Sequence, residues 1–259
     1  MGIQVSSGEG IAAVVIDFPP VNALPVRGWF DLADAVTAAG ADPGVRAVVL
    51  AANGRGFCAG VDIKEMQRTS GHEALVGANR GCFAAFAAVY ECAVPVVAAV
   101  QGFCLGGGVG LAGSADLVVA SEDATFGLPE VDRGALGAAT HLSRLVPQQL
   151  MRTMVYTCRT VPAGQLLAYG TVLEVVPADQ LRAAARAVAA EIASKDGEIL
   201  RLAKQSLNGI DLVDLRRSYR YEQGFTFELN LTGISDRARQ AFVDRQAADR
   251  QAADREDGR

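Results

Sequence analysis

Residues 96–113 read Val96-Val97-Ala98-Ala99-Val100-Gln101-Gly102-Phe103-Cys104-Leu105-Gly106-Gly107-Gly108-Val109-Gly110-Leu111-Ala112-Gly113, and the rest of the chain is organised around them. The β-branched run Val96 to Val100 predicts a buried strand, broken at Gly102 and again at three consecutive glycines. A helix of about two turns should follow. Glycines at 106–108 put no Cβ between the main chain and a ligand. The first N–H groups of that helix lack intrahelical partners and lie at the positive end of its dipole. The turn therefore suits negative charge on an oxygen and reads as half of an oxyanion hole.

Two other readings compete. One is a tight turn with close helix packing. The other is dinucleotide binding, because Gly108-Val109-Gly110-Leu111-Ala112-Gly113 spells G-x-G-x-x-G after a strand. That fingerprint belongs to a unit of about 30 residues with a full crossover helix, whereas the next apolar run, Leu117 to Ala120, begins too soon. The oxyanion reading needs a second donor loop and an acid or base from elsewhere in the chain.

Upstream, Ile11 to Phe18 predicts a strand stopped by Pro19-Pro20. Val21-Asn22-Ala23-Leu24-Pro25 then leads into a helical pattern, Trp29, Leu32, Ala33, Val36, which breaks at Gly40 to Gly44. Val45 to Ala51 is the next buried strand and runs into a glycine-rich loop that ends in Ala59-Gly60-Val61-Asp62-Ile63-Lys64-Glu65-Met66. A longer helix spans about residues 73–90. Downstream, short strands at Leu117 to Ala120 and around Thr125-Phe126 precede Gly127-Leu128-Pro129-Glu130. The order is an irregular α/β repeat, not strict βαβ alternation. From Pro147 helices dominate, at 148–157, 162–169, 177–194, 198–207 and 212–231, interrupted by a strand at 172–176. From Asp244 the chain repeats Asp-Arg-Gln-Ala-Ala twice and starts a third copy, a charged stretch with only alanine to bury, read as a frayed helix extension.

With 259 residues, 50% of them hydrophobic, the chain can build one large core, or a core with a small appended unit. Its net charge of -5 and the lack of a basic stripe argue against nucleic acid as a partner. The first ten residues lack a leader pattern, and no apolar stretch reaches about 18 residues, so no membrane partner and a cytoplasmic location are expected. The five cysteines are odd in number and show no C-x-x-C spacing, which implies reduced, structural thiols. His72 and His141 are the only histidines and carry no metal-ligand spacing, so no bound metal is expected.

Four stretches together resemble the crotonase superfamily, the enoyl-CoA hydratase/isomerase family, over about residues 1–245. They are Val21 to Leu24; Arg55-Gly56-Phe57-Cys58-Ala59-Gly60-Val61-Asp62-Ile63-Lys64; Gln101 to Gly108; and Phe126-Gly127-Leu128-Pro129-Glu130. The resemblance implies an α/β fold, a crotonase-like spiral of ββα repeats with a helical C-terminal oligomerisation region. It divides the chain into a core at 1–195, trimerisation helices at 196–245 and a charged tail at 246–259, assembled as a homotrimer or hexamer. It implies acyl-CoA chemistry, in which two main-chain N–H groups hold the thioester oxygen while an enolate forms. By position those donors are Val61 and Gly107. Ala59, Asp62, Ile63 and Lys64 resemble the family's adenine-pocket strand, with Lys64 near the coenzyme A phosphates. Arg245, in a segment like the family's closing Ala-Phe-x-x-Lys/Arg, is placed near them too; a solvated face is the plain alternative for both. No cofactor is implied beyond the coenzyme A of the substrate.

The chain also departs from the family pattern. Hydratases of the family share a water between two glutamates, whose positions here are Gly110 and Glu130. Hydration needs one group to deprotonate water and one to manage the proton at carbon, so ordinary hydration is disfavoured. Glu130 lies among Phe126, Leu128, Pro129 and Val131, and desolvation should raise its pKa toward the range useful for proton transfer. Asp132 and Arg133 are candidates for a second polar group. His141 stands where the family often carries arginine, and a structural role weighs more than a basic one. Glycine at 110 is expected to leave room for a bulky or cyclic acyl group, a water, or a small anion such as bicarbonate. The reading leans to ring-opening carbon–carbon hydrolysis of a cyclic β-keto acyl-CoA in a catabolic pathway. Enoyl-CoA isomerase and atypical hydratase remain the alternatives. A non-catalytic binding module is disfavoured by Glu130, Gly107 and Lys64 occurring together.

Overall fold

The computed structural model describes residues 1–69 and 71–257, with side chains through Arg245 and at Ala247. The expected tail at 246–259 continues the last helix to Asp257, and Gly258 and Arg259 lie outside the described residues. The first half runs β1 (Gly2–Gly8), β2 (Ile11–Asp17), β3 (Ala23–Leu24), α1 (Val26–Ala41), β4 (Ala47–Ala52), β5 (Gly60–Val61), α2 (Ile63–Arg68), α3 (Glu73–Tyr90), β6 (Val96–Val100), β7 (Phe103–Leu105) and α4 (Gly107–Ser114). The second half runs β8 (Leu117–Ser121), β9 (Thr125–Gly127), a 3-10 turn (Val131–Arg133), α5 (Ala139–Leu142), α6 (Gln148–Thr157), β10 (Thr160–Pro162), α7 (Ala163–Ala168) and β11 (Glu174–Val176). Four helices close it: α8 (Leu181–Ala193), α9 (Gly197–Ile210), α10 (Leu215–Leu231) and α11 (Ile234–Asp257).

Each turn of the spiral sends one long strand to a main sheet and one short strand to a second layer before its helix. The main sheet has the order β1-β2-β4-β6-β8-β11, parallel except for the β1–β2 hairpin. The short strands pair as β3 with β5, and as β9 lying between β7 and β10; a parallel bridge between Cys58 and Cys104 joins the two groups. This is the ββα spiral that the resemblance implied. The hairpin strand β1 and the three-residue β7 were not anticipated from the sequence.

The long strands are continuous apolar runs because the sheet is covered on both faces. Val48, Leu50 and Ala52 face one core with Val96, Ala98, Val100, Trp29 and Phe86. The alternate residues Ala47, Val49 and Ala51 face the other, with Val97 and Ala99. Leu181, Ala185, Ala189 and Ala193, four residues apart along α8, close that second face. Lys204 of α9 is buried against Asp116 at 2.5 Å, and the same carboxylate oxygen accepts the Val96 N–H at 2.7 Å, which ties α9 to the start of β6. Helix α10 enters the main core through Tyr219, with Leu215 also buried.

Candidate active site

The glycine turn after β7 sets the geometry of the site. Gly106 adopts φ 56° and ψ -114°, open to glycine alone, and its N–H is held by the Gly127 carbonyl at 3.0 Å. A Cβ at Gly106 would collide with Oε1 of Glu130, so the carboxylate stands directly over the turn. Gly107 opens α4, and its N–H belongs to the first helical turn, which has no intrahelical acceptor.

The second donor loop arrives through β5. Asn22, in the left-handed region at φ 51°, accepts the Phe18 N–H through its side chain. Its amide also donates to the carbonyls of Asn53 at 2.7 Å and Gly56 at 2.9 Å. That staple holds the loop before β5 against the turn before β3, and Ala59 N–H adds a bond to the Asn22 carbonyl. Asp62 N–H is engaged by the Leu24 carbonyl at 2.9 Å, so the preceding N–H, that of Val61, points to the opposite edge of the strand. Gly60 lies so close to α4 that a Cβ on it would sit 3.2 Å from the Gly107 nitrogen. Val61 and Gly107 both line one cavity of ≈ 130 Å³, together with Glu130.

Glu130 is the one carboxylate in that cavity wall among the described residues. The residue as a whole is half-buried, yet its Oε2 is shut off from solvent and has no hydrogen-bond partner. Desolvation pushes its pKa up to about 7, against the pull of the neighbouring Arg133. Arg133 lines the same cavity with a buried, unpartnered Nε, and its guanidinium lies 4.7 Å over the ring of Phe242. Burial draws its pKa below the ordinary value while leaving it cationic at neutral pH.

The remaining sequence candidates distribute unevenly. Ala59 and Ile63 line the cavity. Asp62 caps α2 by accepting the Lys64 N–H at 2.9 Å, and the Lys64 side chain is exposed beside it. Glu65 reaches across to accept the Val26 N–H at 2.7 Å, tying α2 to the start of α1. Arg245 is exposed on α11, with its Nε turned back to the Ala241 carbonyl, and is not in the cavity wall.

Two candidates lie outside the cavity wall, and the room expected at Gly110 is missing. Asp132 is exposed on the 3-10 turn and points away from the cavity that Glu130 and Arg133 line, because a side chain one residue off their common face turns outward. His141 is buried behind the wall, between Phe86 at 4.8 Å and Tyr219 at 4.9 Å. Burial holds its pKa down to about 3, and its Nδ1 has no partner, so it is a neutral packing group outside the cavity. Gly110 leaves no room, because a Cβ there would fall within the ring of Phe86. That ring, packed at 5.7 Å from Trp29 and 5.1 Å from Tyr219, occupies the volume expected for substrate. The letters of G-x-G-x-x-G are thus packing contacts: Gly108 meets the Cys58 carbonyl, Gly110 the Phe86 ring and Gly113 the His141 carbonyl.

Sequence reasoning missed one side of the cavity altogether. Tyr219, Thr226, Asn230 and Arg239 come from α10 and α11 to complete the wall opposite the glycine turn. A signal existed. Tyr219, Gln223, Thr226 and Asn230 recur at helical spacing and are all buried, a polar stripe on the inward face of α10.

Residues 6–249 match the family model described as enoyl-CoA hydratase/isomerase. Over 245 residues the chain is 64% identical to a protein of Rhodococcus jostii (strain RHA1) named (7aS)-7a-methyl-1,5-dioxo-2,3,5,6,7,7a-hexahydro-1H-indene-carboxyl-CoA hydrolase, covering 94% of this chain and 95% of that one. A protein of the same name from Mycobacterium tuberculosis (strain ATCC 25618 / H37Rv) is 66% identical over 236 residues, covering 91% and 96%. Among solved structures, an enoyl-CoA hydratase from Mycobacterium avium subsp. paratuberculosis K-10 superposes with a TM-score of 0.82 at 28% identity, over 92% of this chain and 98% of that one. With a spiral of this topology, a glycine turn facing a single buried carboxylate, and a match over nearly its whole length, the chain is an enzyme of the enoyl-CoA hydratase/isomerase family.

Proposed function

We propose that this enzyme hydrolyses a ring carbon–carbon bond of a cyclic β-keto acyl-CoA, using one carboxylate and an oxyanion-stabilised enolate. The observation that carries the reading is its 64–66% identity, over more than nine-tenths of both chains, to two hydrolases named for a bicyclic dione CoA thioester. The cavity agrees with it, since a single carboxylate suffices when one proton is taken from water and returned to carbon.

In this reading Glu130 accepts a proton from water as the water oxygen bonds to the ring ketone carbon. The bond from that carbon to its ring neighbour breaks. Its electron pair becomes the enolate, whose thioester oxygen lies between the N–H groups of Val61 and Gly107. Glu130 then returns the proton to carbon, and the former ketone carbon becomes a carboxylic acid, still part of the opened product, that ionises to solvent. The charge on the thioester oxygen exists only once the bond has begun to break, which is where such donors act.

Ala59, Asp62, Ile63 and Lys64 would carry the coenzyme A portion, with Lys64 free to reach its phosphates, and no other cofactor enters the reaction. Arg245 would reach the phosphates from α11. The assembly would be a trimer or a pair of trimers, built on the exposed apolar residues of the C-terminal helices. A cytoplasmic enzyme is in keeping with five cysteines that are all free thiols. No helix among the described residues is long and apolar enough to cross a membrane.

Mass spectrometry of the product from the bicyclic dione thioester tests the reading. Ring opening adds one water and keeps coenzyme A attached. Release of free coenzyme A would show thioester cleavage instead, and unchanged mass with a moved double bond would show an isomerase.

A further inference from the structure

Hydrolysing a ring ketone puts negative charge on two oxygens in succession, and the two main-chain donors serve one of them. Water adding to the ketone first makes an alkoxide at that carbon, and the enolate at the thioester forms afterwards. With Val61 and Gly107 assigned to the thioester oxygen, the ketone oxygen needs a donor of its own.

Most donors in the cavity wall are already committed. Arg239 donates to Asn230 Oδ1 at 2.9 Å and to Asp236 Oδ1 at 2.5 Å. The Asn230 amide donates to the Thr226 carbonyl at 2.7 Å, and the Thr226 hydroxyl to the Leu136 carbonyl at 2.5 Å. Arg133 is different: its Nε–H is buried without a partner among the described residues, as is Oε2 of Glu130 three positions earlier. Residues three apart on a 3-10 turn eclipse one another, so the turn at Val131–Arg133 presents both groups to the same cavity. Buried polar atoms are rarely left unpaired, and a base and a cation left open side by side mark the place of a reacting group.

We infer that Arg133 is a second oxyanion donor, holding the ketone oxygen while Glu130 takes the proton from the attacking water. The inference rests on the ring-opening reading. As water adds, the carbonyl π pair moves onto the ketone oxygen beside the guanidinium. When the ring bond breaks, that pair re-forms the C=O of the new carboxyl group, which ionises to a carboxylate on the same cation. The ring of Phe242 stacked on the guanidinium fixes its plane for that contact.

The test compares Arg133→Met and Arg133→Lys with the wild-type enzyme in two assays. The first is opening of the bicyclic dione thioester. The second needs no ketone: exchange of the α-hydrogen of cyclohexane-carbonyl-CoA in D2O, with calorimetric binding of the same thioester alongside it. Arg133→Met should lower kcat for ring opening by ~10²-fold or more. KM, thioester binding and hydrogen exchange should stay within about 2-fold of wild type. Arg133→Lys should recover part of the loss. Equal losses of ring opening and thioester binding in Arg133→Met would reduce Arg133 to a packing residue, and a variant that opens the ring at the wild-type rate would overturn the assignment while leaving the proposed function intact. A wild-type enzyme that binds the thioester but opens no ring would sink the proposed function, and Arg133's role with it.

Discussion

Glu130 governs the response of the molecule to pH in two opposite senses. Its carboxyl, raised to about 7, is a base only when ionised, so kcat/KM for ring opening should fall on the acid side of neutrality. Glu130→Gln keeps the size of the side chain and should abolish that limb, with a loss of ~10²-fold or more. Stability runs the other way. Between the ordinary carboxyl value of 4.5 and about 7 the native state keeps a proton that the unfolded chain has released, so stability declines as pH rises through that window. Glu130→Gln should therefore be the more stable protein at pH 8, by about 1–3 kcal/mol, and match wild type near pH 4. His141 contributes with the opposite sign. Its native pKa is lowered from 6.5 to about 3, so the unfolded chain takes up a proton that the native state refuses, and stability is lost as pH falls through that range. His141→Leu should blunt the acid loss. Urea titrations at a series of pH values measure both effects; identical pH profiles for wild type and Glu130→Gln would mean that burial does not hold the carboxyl up.

The helix α4 shows how far a sequence pattern can be read and where it stops. The strand, the glycine turn and a two-turn helix were legible because a β-branched run and consecutive glycines are local signals. The neighbours of each glycine were not, since Trp29, Cys58, Phe86 and His141 come from four other segments. The expected room at Gly110 was inferred from a missing side chain, but the volume is set by what packs against it, and that is Phe86 of α3. The lean to ring opening therefore drew on a volume that the packing removes. Short pieces were missed on similar grounds: β1 is largely exposed and polar, and β7 has only three residues. Gly110→Glu should not create hydratase activity on crotonyl-CoA, and Gly110→Ala should cost about 1–3 kcal/mol from overpacking. Phe86→Leu in the same chain should relieve part of that cost, giving a coupling that thermal or urea unfolding of the double-mutant cycle can measure. A Cβ at Gly107 would press on the Trp29 ring, so Gly107→Pro is best made with Trp29→Phe. That pair, against Trp29→Phe alone, should lose ~10²–10³ in turnover while keeping CoA binding; parallel losses in both would count against an oxyanion role.

At the scale of the whole molecule, the C-terminal helices serve two faces at once. Inward, Tyr219, Thr226, Asn230 and Arg239 complete the cavity, so the division at residue 195 cuts through the site and not around it. Outward, Ile199, Leu202, Leu207, Ile210 and Leu231 are exposed, and Leu212 is 100% exposed. Leu215, at the start of α10, is buried. Ending the chain after about Lys195 should give an aggregating product without activity. Leu202→Glu with Leu212→Glu leaves the cavity whole and should shift a trimer or hexamer toward monomer in sedimentation velocity; an unchanged oligomer would place the interface elsewhere. The ring of Phe86 carries a consequence for descent as well as for packing. A glutamate at 110 cannot be accommodated until Phe86 shrinks, and truncating a buried phenylalanine that holds Trp29, His141 and Tyr219 together costs about 3–5 kcal/mol. Against a total stability of about 5–15 kcal/mol, either single step toward the two-glutamate arrangement removes a substantial share of the margin that keeps the chain folded. Two substitutions would have to arrive together, so the one-carboxylate chemistry is locked in place by its neighbours: a ratchet that turns more readily away from hydration than back to it.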